Sequence, residues 1–275
     1  MNETQVMQKN LFFHYQTLRD QGFKLPNFSD TGFRVFSQND EDGLLLYIFS
    51  LIEMESKLCL DVAYAGPKGA NTTNLICNWG WHGLLIEGNQ EGAEKSSRFF
   101  KSNLDTHIFP PLVRNAWVTA ENLNELCEKN EFTGEIDLFS LDMDGVDYWV
   151  WEKLDAVSPR VVVVEYLDIP GPELSITIPY DPEFTAKPAT SAKTGEPYDY
   201  FGASLMAFVN LAKRKGYRLV GVNKYGFNAF FVRNDLGQGH LPEIDPQSCF
   251  SHPKVKQGMR ERWKKVSKKE WIPVD

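Results

Sequence analysis

Cysteine and histidine are scarce in this sequence of 275 residues, which has four cysteines and five histidines. The cysteines lie far apart and form no C-x-x-C pair, so their spacing offers neither a zinc site nor a disulfide framework. We therefore expect reduced, mostly buried thiols, as in a cytoplasmic protein. His82, just before a predicted strand, is more typical of a packed or surface side chain than of a catalyst. No G-x-S-x-G motif or Cys/His pairing indicates nucleophilic catalysis.

Long apolar runs and an excess of positive charge are missing as well. The apolar run from Leu44 to Phe49 is far shorter than the ~20 residues that span a bilayer. The first ten residues lack the basic and apolar parts of a secretory signal. The net charge is −8 and the acidic residues are spread along the chain, so no positive field exists to hold a polyanion. We expect neither a membrane nor a nucleic acid as a partner.

Apolar runs do alternate with amphipathic stretches across residues 37–234. The runs predict five strands, followed by a hairpin around YGF: KLCLDVAYAG, GLLIEG, RNAWVTA, EIDLFSLDMD and RVVVVEYL, then YRLVGVNK and NAFFVRN. The four consecutive valines of the fifth run indicate a strand covered on both faces, as in parallel sheets. The pattern predicts an α/β domain with a doubly wound, mostly parallel sheet.

Three segments interrupt or flank this pattern. Residues 1–36 are polar and aromatic, and we interpret them as an extension that packs on the main domain. The Pro-rich stretch 168–200 is too long for an ordinary connection, and loops of such length are often lids. The tail 235–275 contains the basic run RERWKKVSKKEW. That run is most simply a solvated helix face or a frayed end, and alternatively a contact with an acidic partner.

Open sheets of this kind bind ligands at the carboxyl ends of their strands. After the first strand, Gly66 and Gly69 would let the backbone approach a ligand, although glycines also serve turn geometry alone. Glu87 ends the second strand, 26 positions after Asp61. At that spacing an acid accepts hydrogen bonds from ribose hydroxyls in nucleotide-binding units, and otherwise it is an exposed acid at a strand end.

The densest acidic cluster, LDMDGVD at positions 141–147, follows the fourth strand. Three carboxylates so close together repel one another unless a cation, a proton or solvent relieves them. A calcium loop does not fit, because Gly145 is fourth rather than sixth and the twelfth position is Lys153. Asp142 and Asp147 could also simply cap the next helix.

Two enzyme motifs share the letters of this cluster. D-M-D-G-V matches the nucleophile motif of haloacid-dehalogenase-like phosphatases, but it lies far from the N-terminus, and no downstream motif to hold magnesium follows Asp144. The D-x-D of metal-dependent nucleotide-sugar transferases matches Asp142 and Asp144, and it is a common pattern of low specificity.

With these residues, the chain resembles the FkbM-like branch of class I S-adenosylmethionine-dependent methyltransferases, and more closely its bacterial members. The resemblance runs from SQNDEDGLLLYIF at 37–49 to KYGFNAFFVRN at 224–234. Its most specific parts are LIEGN and SLDMDGVDYW. They are similar to the family's acid-ending second strand and to its fourth-strand D-x-D/E-G motif.

The resemblance implies a Rossmann-like, seven-stranded class I methyltransferase sheet with an antiparallel last strand. It implies S-adenosylmethionine as cofactor, and a hydroxyl of a saccharide or another small metabolite as methyl acceptor. The implied cofactor contacts come from the ends of the first three strands: Asp61, Ala63, Gly66, Gly69, Glu87, Gly88, Asn89, Trp117 and Val118.

One loop departs from the family pattern. Where the family commonly has a G-x-G-x-G-like turn, this chain has AYAGPKG at 63–69. Tyr64 stands where backbone approaches the ligand, and Pro67 removes a donor. The departure allows an altered cofactor pose, a different ligand, or a protein that has lost methyl transfer.

The leading hypothesis is O-methyl transfer, in which Asp142, Asp144 or Glu165 takes the proton of the acceptor hydroxyl. The same three carboxylates allow a divalent cation, Mg²⁺ or Mn²⁺, as an addition. We expect tyrosines of the long loop to cover the acceptor and the hairpin turn to line the same opening: Tyr180, Tyr198 and Tyr200, then Asn223, Tyr225 and Asn228. The alternatives are a metal-dependent nucleotide-sugar transferase that uses Asp142 and Asp144, and a non-catalytic protein on a degenerate methyltransferase fold.

Overall fold

The computed structural model describes residues 2–186 and 199–275, and its centre is a seven-stranded sheet with the order β3-β2-β1-β4-β5-β8-β7. Its strands are β1 (Leu58–Val62), β2 (His82–Glu87), β3 (Leu112–Asn115), β4 (Gly134–Leu141), β5 (Val157–Glu165), β7 (Tyr217–Val222) and β8 (Asn228–Arg233). Only β8 among them runs antiparallel to its neighbours β5 and β7. The predicted fold class, a mostly parallel doubly wound sheet with an antiparallel last strand, is confirmed.

Helices cover both faces of this sheet. They are α1 (Glu3–Asp20), α2 (Glu41–Ile52), α3 (Thr73–Trp79), α4 (Gln90–Ser102), α5 (Leu123–Lys129), α6 (Asp147–Lys153), α7 (Leu205–Lys215), α8 (Pro253–Glu261) and α9 (Trp263–Val266). Apolar residues of α1 to α4 form one core with one face of the sheet, and those of α5 to α7 form a second core with the other face. Val161 and Val163 belong to the first core, Val162 and Val164 to the second. The strand is covered on both faces, as its four valines predicted.

The third strand lies two residues earlier than the sequence predicted. The run RNAWVTA begins at Arg114, whereas β3 spans Leu112–Asn115. One more backbone bond, from Ala116 N to Glu87 O at 3.1 Å, follows the strand. The chain then leaves the sheet, and the Trp117 ring nitrogen donates to Pro182 O at 2.7 Å. Contacts with the long loop therefore end the strand, and no local pattern signals them.

Both ends of the chain pack on this domain. In α1, Phe12 and Tyr15 are buried, and the Gln8 and Asn74 amides donate to each other at 3.1 and 2.9 Å. Near the other end, Val255 of α8 and Val266 of α9 are fully buried. A short ribbon pairs β6 (Ile176–Thr177) with β9 (Ile272–Pro273). In the described part of the chain, no helix has the length and apolar character needed to cross a bilayer.

A buried ion pair fixes the amino end of the sheet, opposite the carboxyl ends where ligands are expected. Arg160 Nη1 on β5 lies 2.6 Å from Asp137 Oδ1 on β4, and both side chains are almost fully buried. The guanidinium also donates to Glu53 O and Ile52 O at the end of α2. The other carboxylate oxygen accepts from the backbone of Glu55 and Lys57 at 2.9 and 2.7 Å. The pair thus holds the chain between α2 and β1 against the sheet.

We predict that Arg160→Met lowers the free energy of unfolding by about 3 to 5 kcal/mol, because it leaves the Asp137 carboxylate buried without its partner. The control is Lys95→Met, which removes the exposed pair between Lys95 and Glu91 and should leave the free energy of unfolding nearly unchanged. Urea denaturation followed by circular dichroism measures both. Equal losses in the two variants would contradict the role assigned to Arg160.

Candidate functional site

Two cavities open at the carboxyl ends of the parallel strands. The first, here called the small cavity, has a volume of about 60 Å³. It is lined by the ends of β1, β2 and β4, by residues 116–118 after β3, and by Pro182 and Phe184 of the long loop. The second, the acidic cavity, has a volume of about 460 Å³ and contains Asp142, Asp144 and Glu165. Ala63, directly after β1, lines both cavities, so they adjoin at that residue.

The segment after β4 divides its residues between the two cavities. Asp142 and Asp144 line the acidic cavity, whereas Met143 and Gly145 line the small one. Asp144 has a φ of 52°, a left-handed conformation that aspartate tolerates better than most residues. The carboxylate of Asp147 fixes this turn, accepting from Met143 N at 2.7 Å and from Gly145 N at 2.9 Å. Asp147, the last residue of the acidic cluster, therefore holds the backbone turn that carries Asp142 and Asp144.

Sheet register brings the third carboxyl to the same place. Leu141 of β4 is paired with Val164 of β5, so the residues that follow, Asp142 and Glu165, are neighbours across the strand ends. Oxygen atoms of Asp142, Asp144 and Glu165 lie within 4.8 Å of one another. Three oxygen ligands at that spacing suit a divalent cation such as Mg²⁺, and without one they suit a shared proton.

Their surroundings favour the protonated forms. Burial, together with the charges of Asp147 and Asp144, raises the pKa of Asp142 to about 7. Burial also raises the pKa of Asp144. Burial and the neighbouring charges of Asp142 and Asp144 raise the pKa of Glu165 well above its ordinary value. An acid with a pKa near neutrality can both accept and release a proton at physiological pH.

The loop after β1 is built differently from a glycine-rich turn, yet it does not fill the cavity. The Tyr64 ring leaves the loop and is 1% exposed in the core of the α1 to α4 face, where its hydroxyl is 2.7 Å from Thr73 Oγ1. Its backbone N–H donates to Ile86 O at 2.9 Å, which extends the pairing of β1 with β2. Ala63 takes the left-handed conformation, with a φ of 63°. The methyl group of Ala63, rather than the Tyr64 ring, faces the ligand space.

Asp61 and Glu87 are both engaged by nearby protein groups. Asp61 is buried at the end of β1 and accepts from Thr72 Oγ1 at 2.6 Å, and burial raises its pKa to about 7 despite this bond. Glu87 accepts from the Asn89 backbone N–H at 2.7 Å, at the start of α4. The Asn89 side chain in turn caps α4 by accepting from Gly92 N at 2.9 Å.

Gly88 lies between Glu87 and Asn89, and it has no side chain to keep an aromatic ring away from its backbone. A Cβ atom placed on it would lie 3.2 Å from Cε3 of Trp117, on the side where Gly88 and Trp117 line the small cavity. The absent side chain therefore lets the Trp117 ring lie directly against the Gly88 backbone, so that an indole ring lines the small cavity.

Of the cofactor-binding residues predicted from the sequence, four line the small cavity: Ala63, Gly88, Trp117 and Val118. Ala63 and Gly69 line the acidic cavity, as do the three predicted catalytic carboxyls. Asp61, Gly66, Glu87 and Asn89 lie outside both linings. Eight of the twelve predicted positions therefore line one of the two cavities, and the roles of all twelve remain predictions.

Parts of the long loop lie over the small cavity. The Tyr180 hydroxyl is bonded to Ala120 N at 3.2 Å and to Glu121, and Phe184 packs against Gly145. Tyr200 lies elsewhere, donating to Glu270 O at 2.5 Å, and Tyr198 is outside the described residues. The cavity is small because Pro182 and Phe184 close it.

Three polar residues near the acids were missed from the sequence. Glu41, fully buried at the start of α2, accepts from the side-chain amides of Asn223 and Asn228 at 2.7 and 3.0 Å, so these amides bind Glu41. Lys68 and Arg262 line the acidic cavity. The only signal for Arg262 was the basic run of the tail, whose acidic partner proves to be in the same chain: Arg262 binds Asp199 and lies 3.8 Å from Asp168.

No protein-family model matches the chain, and no curated protein matches its sequence. Several solved structures with a similar architecture are described as methyltransferases. An O-methyltransferase from Bacillus cereus, in complex with SAH, is 12% identical, covers 80% of this chain and 88% of its own, and has a TM-score of 0.41. A SAM-dependent methyltransferase from Aquifex aeolicus is 14% identical, with coverages of 80% and 97% and a TM-score of 0.41. The CcbJ methyltransferase from Streptomyces caelestis is 12% identical, with coverages of 80% and 96% and a TM-score of 0.43. These likenesses are distant, so the fold class of this chain rests on its own strand order and the chemistry of its site on its own residues.

Proposed function

We propose that this protein is an S-adenosylmethionine-dependent O-methyltransferase that acts on a hydroxyl of a small metabolite or saccharide. The observation that carries the proposal is the meeting of the two cavities at Ala63. One is lined by the indole ring of Trp117, against which a nucleoside base can pack, and the other holds carboxyls suited to proton transfer. The motifs LIEGN and SLDMDGVDYW further favour the FkbM-like branch and a bacterial source, and the four separate cysteines favour a cytoplasmic location.

The residues around the small cavity fit the nucleoside part of this cofactor. Gly88 and Trp117 line it, and Glu87 is one residue away with a carboxylate that can exchange its backbone partner for ribose hydroxyls. Ligand sites for molecules of this size have volumes of about 300 Å³ or more, so Pro182 and Phe184 must move outward on binding. We propose that this movement makes residues 168–186 the working part of the 168–200 lid expected from the sequence, of which residues 187–198 lie outside the described part of the chain.

When bound, the cofactor supplies an electrophilic methyl group, and the protein positions the acceptor and removes its proton. Asp142 is the carboxyl we assign as the base, because its pKa of about 7 lets it accept a proton near neutral pH. Glu165 and Asp144, within 4.8 Å, hold the acceptor hydroxyl or a proton between them. Positioning supplies most of the acceleration, as is usual for group transfer between bound partners.

The first prediction from the proposed function concerns ligand binding in the small cavity. S-Adenosylhomocysteine should raise the Tm of the protein by several degrees at about a hundredfold excess over Kd, because it binds only the native state. Gly88→Leu should abolish this shift, because the new side chain meets the Trp117 ring and must displace this part of the cavity lining. Gly239→Leu is the control, since no atom lies within 4 Å of a Cβ at that position. Differential scanning fluorimetry measures all three, and an unchanged shift in Gly88→Leu would place the ligand elsewhere.

The second prediction concerns the base. Asp142→Asn should lower the rate of methyl transfer about 100- to 10,000-fold, the usual contribution of a general base. Its affinity for S-adenosylhomocysteine should not fall, since the carboxyl acts on the acceptor. Product formation is measured against a panel of hydroxylated metabolites and saccharides. Asp155→Asn, at an exposed acid, is the control. A normal rate in Asp142→Asn would remove this residue from the mechanism.

The third prediction is a pH profile. Protonated Asp142 cannot act as a base, so kcat/KM should fall about tenfold per pH unit below about 7 and level off above it. The charge of Asp147 contributes to the raised pKa, so Asp147→Asn should move this limb to lower pH. A limb near pH 4 in the wild type would show that the base is an ordinary exposed carboxyl.

A metal-dependent nucleotide-sugar transferase is the second candidate, favoured by the spacing of the three carboxyls. Isothermal titration separates the two functions. Tight binding of a nucleotide sugar with Mn²⁺, without binding of S-adenosylmethionine or S-adenosylhomocysteine, would select the transferase. Binding of none of these ligands would select a non-catalytic protein on this fold. If Mg²⁺ or Mn²⁺ raises the Tm and EDTA returns it to its value without metal, the methyltransferase proposal would include a cation.

A further inference from the structure

Lys68 is a cation placed among acids without an ion-pair partner. It is exposed in the loop after β1 and lines the acidic cavity with Asp142, Asp144 and Glu165. Arg262, the other basic side chain of that lining, is bonded to Asp199. Lys68 makes no ion pair with any residue in the ranges 2–186 and 199–275. Its ammonium group is therefore available to a ligand in the cavity.

Three backbone positions of the same loop offer a ligand no free N–H group. Tyr64 N is bonded to Ile86 O at 2.9 Å, and Gly69 N is bonded to Phe36 O at 2.7 Å. Pro67 has no N–H at all. Three of the seven positions from Ala63 to Gly69 are thus withdrawn from ligand binding. A negative group that enters this part of the cavity needs another donor, and Lys68 lies within the loop itself.

The cofactor of the proposed function brings such a group. Its amino-acid end carries a carboxylate, attached through the sulfur to the nucleoside. With the nucleoside in the small cavity, this end passes Ala63 into the acidic cavity, because Ala63 lines both. There the carboxylate meets three acidic side chains, which repel it unless a cation stands beside it.

We infer that Lys68 binds the carboxylate of the cofactor's amino-acid end and thereby replaces the backbone donors that the loop lacks. The inference rests on the proposed function. It makes Lys68 a cofactor-binding residue that distinguishes ligands by the presence of that carboxylate, since a nucleoside thioether without an amino-acid end offers Lys68 no charge to bind.

Isothermal titration with two probes tests this assignment. S-Adenosylhomocysteine carries the carboxylate, and 5′-methylthioadenosine has the same nucleoside and sulfur without the amino-acid end. Lys68→Met should weaken S-adenosylhomocysteine binding about fivefold, as expected for one solvent-accessible charge pair, and leave 5′-methylthioadenosine within about twofold of the wild type. Raising the salt concentration should weaken S-adenosylhomocysteine binding in the wild type and have little effect in Lys68→Met. Lys68→Arg should keep most of the affinity, and Lys101→Met, at an exposed lysine of α4, should change neither probe.

Each remaining outcome contradicts the assignment in a recognisable way. Equal affinities of Lys68→Met and wild type for S-adenosylhomocysteine would show that Lys68 does not bind the cofactor. Equal weakening of both probes would indicate a disturbed loop rather than a lost charge pair. An unchanged cofactor affinity with a raised KM for a negatively charged acceptor would assign Lys68 to the acceptor. If neither probe binds the wild-type protein, the proposed function itself fails and the inference fails with it.

Discussion

Mutual repulsion among the clustered carboxyls of Asp142, Asp144 and Glu165 is the constraint on which this site depends. Parallel pairing of β1, β4 and β5 directs the residues after these strands to one edge, and register places Asp142 beside Glu165. Removing such groups from water penalises their charged forms, and each added charge penalises the next. The cluster must therefore hold protons, bind a cation or face a cationic ligand. A sulfonium beside these carboxyls would relieve the repulsion directly, which links the acidity of the site to the charge of the proposed cofactor.

The rest of the fold is arranged so that this repulsion does not open the sheet. Asp147 is anchored by two backbone N–H groups, and Glu41 by the amides of Asn223 and Asn228. Asn228 is also the register partner of Glu165 on β8. The antiparallel hairpin therefore contributes more than one extra strand, because two residues that flank its turn donate their side-chain amides to Glu41. At the opposite end of the sheet, the pair of Asp137 and Arg160 holds α2 and β1 in place.

The sequence was sufficient for those parts of the structure that local patterns determine. Apolar runs and their spacing predicted the strands, the antiparallel hairpin and the carboxyls at the ends of β4 and β5. Tyr64 shows where local reading ends. From the sequence it stands in the ligand-binding turn, yet its ring packs with Phe100 and its hydroxyl meets Thr73. A turn motif specifies which residues are present, whereas the packing of α3 and α4 decides which way a side chain leaves the loop.

Glu41, Lys68 and Arg262 were missed for a related reason. Each reaches the acids from a segment that the strand pattern does not include: the start of a helix before the first strand, a loop read for its glycines, and the tail. Arg262 is 118 positions from Asp144 in the sequence. The position of its side chain depends on the packing around Val255 and Val266 and on ion pairs with Asp168 and Asp199. Residues of the same charge at strand ends can be found from the sequence, because the sheet brings the strand ends together. Residues of the opposite sign that balance them can come from any part of the chain, so the charge balance of such a site is a property of the folded structure alone.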